Sequence, residues 1–238
     1  MADRQSLRQR LSQKTEASPA SEAALKYVQM MRKRDEENHR KWSAEELKER
    51  AMARFASLMG EKKPSERYEY LIDCFASYFA RESGKLKPEK GIILSGCTGC
   101  GKTTLFKIFN FNFLWKCDNP AWQLTQHNAL IFSWNWCRSI AMEYTDKEKG
   151  GFAALKKYFN GVSLFDDLGA ENIGIHYGTK ADVMGEIIQS RYEVGARTFF
   201  TTNLNFDELR KTYDERVASR LAEMCNWVNM GINEDYRR

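Results

Sequence analysis

Apolar residues recur along this chain in two patterns. Short unbroken runs, Gly91-Ile92-Ile93-Leu94-Ser95, Ala129-Leu130-Ile131-Phe132, Val162-Ser163-Leu164-Phe165 and Arg197-Thr198-Phe199-Phe200-Thr201-Thr202, predict buried strands. Before and between them the apolar residues fall three and four apart, which predicts helices. Ser43 with Glu46 three residues on forms a capping box, and the helix it opens stripes Leu47, Ala51, Phe55 and Leu58/Met59 before Gly60 ends it. From Pro64 another helix repeats Tyr68, Leu71/Ile72, Phe75 and Phe79 as core positions and stops at Gly84. Further helices are predicted from Thr103 to about Lys116, from Trp136 to Tyr158 with a break at Gly150-Gly151, over 179–194 with Val183, Met184, Ile187 and Ile188 apolar, and near the C-terminus around Arg216 and Arg220.

The first 63 residues have a different character. Residues 1–17 are polar and poor in apolar side chains, so disorder is expected there. Ser18-Pro19 is a helix start, and the helix carries Leu25, Val28 and Met31 before meeting the charge run Arg32-Lys33-Arg34-Asp35-Glu36-Glu37. Its apolar face is too narrow to hold a helix alone. The net charge of +5 belongs entirely to this segment: residues 1–63 hold 15 Lys+Arg against 10 Asp+Glu, while residues 64–238 hold 22 of each. A basic arm suits nucleic acid or an acidic protein face, and a solvated helical surface has the same composition. Lys62-Lys63-Pro64 marks the expected boundary, giving a helical, partly disordered partner-binding arm over 1–63 and a main domain over 64–238. The stripe from Leu47 to Met59 either packs on that domain or docks on a partner, and the narrow neighbouring helix and isolated basicity favour docking.

With 42% hydrophobic residues in 238, the chain can bury a real core. No apolar run approaches the roughly 18 to 20 residues of a membrane-spanning helix. The N-terminus lacks an apolar signal core, so no membrane association and a cytoplasmic location are expected.

The densest chemistry is Gly96-Cys97-Thr98-Gly99-Cys100-Gly101-Lys102-Thr103, followed by Thr104. It is a complete G-x-x-x-x-G-K-[ST] loop between a predicted strand and a helix. Glycines let backbone N–H groups turn inward around a polyphosphate, Lys102 adds a charge at the outer phosphates, and Thr103 offers a hydroxyl to Mg²⁺. The helix N-terminus aims its positive dipole end at the same anion. A second strand ends in Asp166-Asp167; the first carboxylate can reach Mg²⁺ through its water shell, the second can orient or deprotonate water. A third strand ends at Asn203, whose amide is placed to hold that water; Asn-Leu-Asn is also ordinary turn chemistry. Arg216 and Arg220 sit one helical turn apart and suit phosphate or surface ion pairs with Asp214 or Glu223.

Six cysteines are scattered and do not read as a disulfide framework. Cys97 and Cys100 form a C-x-x-C inside the phosphate loop, without a second close pair to complete a zinc site. Oxidative inactivation through this pair is a further possibility that the spacing raises.

Gly96 to Thr104, Leu164-Phe165-Asp166-Asp167-Leu168-Gly169-Ala170-Glu171, Gln189-Ser190-Arg191-Tyr192-Glu193, Thr201-Thr202-Asn203-Leu204 and Glu215-Arg216-Val217-Ala218-Ser219-Arg220-Leu221 together resemble the DnaC/IstB group of AAA+ ATPases, over about residues 65–238. The resemblance implies an α/β fold, a P-loop NTPase (AAA+) parallel sheet flanked by helices, with the helical N-terminal arm added. It implies ATP and Mg²⁺ as ligands, with Lys102 and Thr103 in the first nucleotide motif, Asp166 serving Mg²⁺, Asp167 the catalytic water and Asn203 the sensor. It implies that Arg220 is an arginine finger for a neighbouring subunit's ATP, with Arg216 the alternate, and that Arg237 is a second sensor in cis. Many AAA+ proteins carry Asp-Glu where this chain has Asp166-Asp167, as this group commonly does, so Glu171 is kept as a substitute base.

The group contains replicative helicase loaders and ATP-binding helpers of transposases. The expected function is ATP-dependent loading of a hexameric replicative helicase onto single-stranded DNA, with ATP-dependent self-association; the alternative is an IstB-like transposase helper. Lys147, Lys149, Lys156 and Lys157 could track a phosphate backbone or form a solvated face. A GTPase is disfavoured because no Lys follows Asn203 in Thr202-Asn203-Leu204-Asn205, and no acceptor lid for a small-molecule kinase is evident.

Overall fold

Among the described residues five parallel strands form one sheet: β1 (Gly91–Ser95), β2 (Ser133–Trp136), β3 (Ser163–Leu168), β6 (Thr198–Thr202) and β7 (Cys225–Asn229). Their order across it is β2-β3-β6-β1-β7. The computed structural model describes residues 42–110, 131–232 and 236. The helix expected at Ser18-Pro19, the extension of the helix after Thr103 to Lys116, residues 129–130 and Arg237 lie outside the described residues.

Side chains alternate across this sheet because strand geometry has a period of two. Ile92, Leu94, Leu164 and Phe199 face one core; Ile93, Phe165 and Phe200 face the other. A parallel sheet buried on both faces explains why its inner strands read as continuous apolar runs. The first core is covered by α1 (Ala44–Met59), α2 (Glu66–Ala80) and α3 (Lys102–Phe109). The second is covered by α4 (Cys137–Thr145), α5 (Phe152–Leu155), α6 (Val183–Glu193), α7 (Phe206–Thr212) and α8 (Glu215–Met224). A separate antiparallel hairpin pairs β4 (Gly174–His176) with β5 (Thr179–Ala181). Among the described residues no helix is long and apolar enough to cross a membrane.

Helix α1 starts as expected, with the Ser43 and Glu46 side chains exchanging bonds with each other's backbone N–H. Its stripe packs into the protein's own core: Leu47, Ala51 and Phe55 are each buried. The Phe55 ring lies 5.0 Å from that of Tyr68 on α2. Arg54 also turns inward and donates to the Ile108 carbonyl at 2.8 Å, satisfying the C-terminal end of α3. The docking role favoured for this stripe is therefore corrected: the helix lies within the compact unit that spans residues 41–238, which also contains the expected 63/64 boundary.

Other departures are local. Helix α2 stops at Ala80 because Arg81 takes a left-handed φ of 58°, a full turn before the expected stop near Gly84. The apolar pair Ile131 and Phe132 is buried just ahead of a strand that is itself Ser-Trp-Asn-Trp. The segment 179–194 divides into strand β5 and helix α6, with the Asp182 side chain accepting from Gly185 N–H at 3.0 Å as the helix cap.

At the end of the strands opposite the loop after β1, Arg191 of α6 is fully buried. It donates to the carbonyls of Tyr158, Asn160, Gly161 and Arg197 and to the Thr198 hydroxyl, over 2.6–3.0 Å. Burial pushes its guanidinium down to about 9, still high enough to stay charged at neutral pH.

Truncating Phe55 to Ala should cost about 3–5 kcal/mol by chemical denaturation, since it opens a cavity between α1 and α2. Leu58→Ala, on the same helix at a position 41% exposed, should change stability by less than about 0.5 kcal/mol.

Candidate functional site

The site grows from the C-terminal tips of β1, β3 and β6, which the parallel register brings to one edge. After Ser95 the chain must turn sharply. Gly96 N–H donates to the Thr202 carbonyl at 3.2 Å, and a Cβ there would lie 2.9 Å from Met230 Cβ. Gly101 sits at φ 91° with Tyr68 packed so closely that an added Cβ would come within 2.7 Å of its ring. The Tyr68 hydroxyl in turn donates to the Gly101 carbonyl at 3.1 Å. Helix α3 then begins at Lys102 without a side-chain cap, which leaves its first N–H groups facing the cleft.

Lys102 is 5% exposed, and its Nζ donates to the carbonyls of Gly96 and Cys97 and to Asn203 Oδ1, at 2.7–2.8 Å. One ammonium thus joins the start of the loop to the tip of β6. The Thr103 hydroxyl donates to Asp166 Oδ1 at 3.1 Å. Asp166 also accepts from the Thr201 hydroxyl. Burial raises the Asp166 carboxyl above its usual range, and the two hydroxyls oppose that rise. Thr103 and Asp166 therefore present hard oxygen donors side by side, a set that suits Mg²⁺.

Asp167 departs from strand geometry at φ 60°, where the β3–β6 register shifts between Phe165 and Leu168. A left-handed Asp at a strand tip is a strained position of the kind found at functional sites. Its N–H donates to Thr201 Oγ1 at 2.9 Å, and its side chain is left exposed toward the cleft. Thr201 thus binds the Asp166 carboxylate and the Asp167 backbone at once, a role that the strand's alternation suggests and the motifs do not mark.

A cleft of about 460 Å³ gathers Thr98, Gly99, Gly101, Lys102, Thr103, Thr104, Asp166, Asp167 and Asn203. Its remaining walls are Met59, Lys107, Trp136 and Tyr236, none of which the motifs had marked. Tyr236 N–H donates to the Gly99 carbonyl at 3.0 Å, while its hydroxyl accepts from Ser65 N–H at 3.1 Å.

Of the other expected site residues, Gly96, Cys97 and Cys100 belong to the loop without lining the cleft, and Glu171, Arg216 and Arg220 lie elsewhere. Glu171 accepts from Gly169 N–H at 2.9 Å and from the Tyr213 hydroxyl. Both of its carboxylate oxygens are engaged and it does not line the cleft, which counts against the substitute base. Arg216 is exposed on α8. Arg220 lays its guanidinium over the Tyr192 ring at 5.2 Å, and its buried Nη1 has no hydrogen-bond partner among the described residues. Neither arginine lines this chain's own cleft. Arg237 lies outside the described residues.

No protein-family model matches the chain, and no curated protein matches it. Solved structures do. A crystal structure of DnaI is 23% identical and matches over 71% of this chain and 87% of that one, with a TM-score of 0.48. A crystal structure of the DnaC helicase loader is 19% identical over 72% and 94% of the two chains, TM-score 0.47. AMPPCP-bound DnaA from Aquifex aeolicus is 14% identical, and the match takes in 75% of this chain and about half, 51%, of DnaA, with a TM-score of 0.50. With its parallel sheet, the loop that follows β1 and helices on both faces, the chain has the α/β P-loop NTPase fold.

Proposed function

We propose that the chain binds and slowly hydrolyses ATP, and that this ATPase loads a hexameric replicative helicase onto single-stranded DNA. The observation that carries the ATPase reading is the convergence of Lys102, Thr103, Asp166, Asp167 and Asn203 on one cleft from separate segments of the chain. Lys102 and the open N–H groups of α3 bind the phosphates. Thr103 and Asp166 would hold Mg²⁺, which supplies charge neutralisation at the phosphate oxygens. Asp167 accepts the proton of the attacking water, and Asn203 orients that water. Arg220 reaches the ATP of a neighbouring subunit, so hydrolysis follows ATP-dependent self-association.

The loader reading rests on the DnaC/IstB-like sequence strings and on the basic surplus in residues 1–63. Residues 1–41 are the partner-binding part in this reading, and the protein acts in the cytoplasm. The competing reading is a transposase helper that shares the same ATPase chemistry. Purifying the intact chain with its bound proteins should recover a replicative helicase; recovery of a transposase instead would overturn the loader assignment.

Removing the ammonium in Lys102→Ala should weaken ATP binding by about 10- to 100-fold, the worth of a charged hydrogen bond or two, as read by titration with a fluorescent ATP analogue. Asp167→Asn should keep ATP binding and lose about 10²- to 10⁴-fold in turnover. Glu171→Gln should retain turnover within about threefold; a loss matching that of Asp167→Asn would return the base to Glu171. Arg220→Ala should bind ATP while losing assembly-dependent hydrolysis by about 10³-fold, measured as phosphate release against protein concentration.

Glu171 also predicts a pH dependence. Burial raises its carboxyl above the ordinary 4.5, so the folded chain holds that proton more tightly than the unfolded chain does. Its contribution to stability is full below the unfolded value and is lost as pH rises through the folded one. Glu171→Gln removes this loss, and its stability relative to the parent should improve as pH rises above the ordinary 4.5 in denaturation curves.

A further inference from the structure

The phosphate loop carries two thiols that phosphate binding does not use. Cys97 is exposed, and its S–H donates to the Ile232 carbonyl at 3.1 Å. Cys100 is buried directly beneath the loop. A turn joins them, since Cys100 N–H donates to the Cys97 carbonyl at 3.5 Å. Such an i to i+3 closure holds the two Cα atoms within about 7 Å, which overlaps the span of a disulfide.

The surroundings divide the work between them. Cys97 is open to a small oxidant in solvent. Cys100 is shielded, and burial raises its thiol above the ordinary value; the Lys102 ammonium, 4.0 Å from its sulfur, opposes that rise. Among the described residues the other buried cysteines are Cys137 and Cys225; burial pushes their thiols up as well, and neither has another cysteine nearby in sequence.

We propose that Cys97 and Cys100 form a hydroperoxide-reactive modification site, and that their disulfide closes the nucleotide cleft. The effect on the cleft rests on the reading of the loop as an ATP site. The Cys97 thiolate attacks the near oxygen of a hydroperoxide; an S–O bond forms, the O–O bond breaks, and the alcohol or water leaves with the thiol's proton. Cys97 is then a sulfenic acid, oxidised by two electrons as the peroxide is reduced. Cys100 sulfur attacks the Cys97 sulfur, the S–S bond forms, and the S–O bond breaks to release water carrying the Cys100 proton. Two thiols and one hydroperoxide thus give one disulfide, one alcohol or water, and one water.

The bond costs the loop its shape. Drawing Cys97 toward Cys100 pulls it from the Ile232 carbonyl and shifts the Cys97 carbonyl that Lys102 holds at 2.7 Å. Thr98 and Gly99, which line the cleft, lie inside the new ring. There is little slack to absorb the change, because an atom placed on Gly96 would already lie 3.0 Å from Cys100 Sγ.

The test treats the full chain with hydrogen peroxide, with and without later dithiothreitol, and reads two quantities. Peptide mass spectrometry reports the 97–100 linkage, and titration with a fluorescent ATP analogue reports affinity relative to each protein's own untreated value. The linkage should form in the parent and weaken ATP binding by about tenfold or more, a loss that dithiothreitol reverses. Cys97→Ser and Cys100→Ser should show neither linkage nor peroxide response. Failure of the linkage to form, unchanged affinity once it has formed, or an equal response in Cys97→Ser would each overturn the proposal. If the reduced parent binds no ATP, the ATP-site reading fails, whereas the linkage still decides whether the two thiols form the modification site.

Discussion

Arg191, a buried cation that meets no carboxylate among the described residues, sets the frame for everything at the other end of the strands. Taking the Arg191 guanidinium out of water is costly, and the cost is offset only because four carbonyls and a hydroxyl meet it in hydrogen-bonding geometry. Those acceptors belong to the segments that lead into β3 and β6. Pinning the start of each strand to one rigid planar fork sets the two in register, Leu164 opposite Phe199 and Phe165 opposite Phe200. Their C-terminal tips then meet in a fixed relation, which is why one Thr201 hydroxyl can meet the Asp166 carboxylate and the Asp167 backbone N–H of the neighbouring strand.

The same register explains how strain becomes useful. Ordinary pairing runs as far as Phe165, and the irregularity that follows turns Asp167 into a left-handed conformation. Asp166 stays with the hydroxyls, and Asp167 turns to the open side. Adjacent carboxylates with nearly identical intrinsic acidity come to occupy different surroundings, one enclosed and one wet.

What was legible in the sequence was local chemistry on apolar runs. The β1–loop–α3 unit, the Asp166-Asp167 strand end and the Thr201-Thr202-Asn203 strand end announce themselves because buried parallel strands are continuously apolar and their tips are polar. Elements without that contrast were missed: β7 follows α8 with no turn residue between them and mixes buried with half-buried positions, and the β4–β5 hairpin is short and largely exposed. The α1 stripe was visible, but a stripe does not say what covers it. Partners distant in sequence were beyond reach altogether. Glu171 is engaged by a tyrosine 42 positions away, and Arg220 rests on Tyr192 of another helix.

Helix α1 belongs to the site in a practical sense as well. Through Met59 it forms part of the cleft wall, through Arg54 it satisfies the far end of α3, and through Phe55 it seals the tyrosine that supports Gly101. A recombinant fragment trimmed at the motif-based boundary, beginning at Pro64, would carry every signature residue of the loop while lacking the surface against which the loop is braced. Fragment design for this chain has to follow the packing around residue 42 onward and not the span of its motifs.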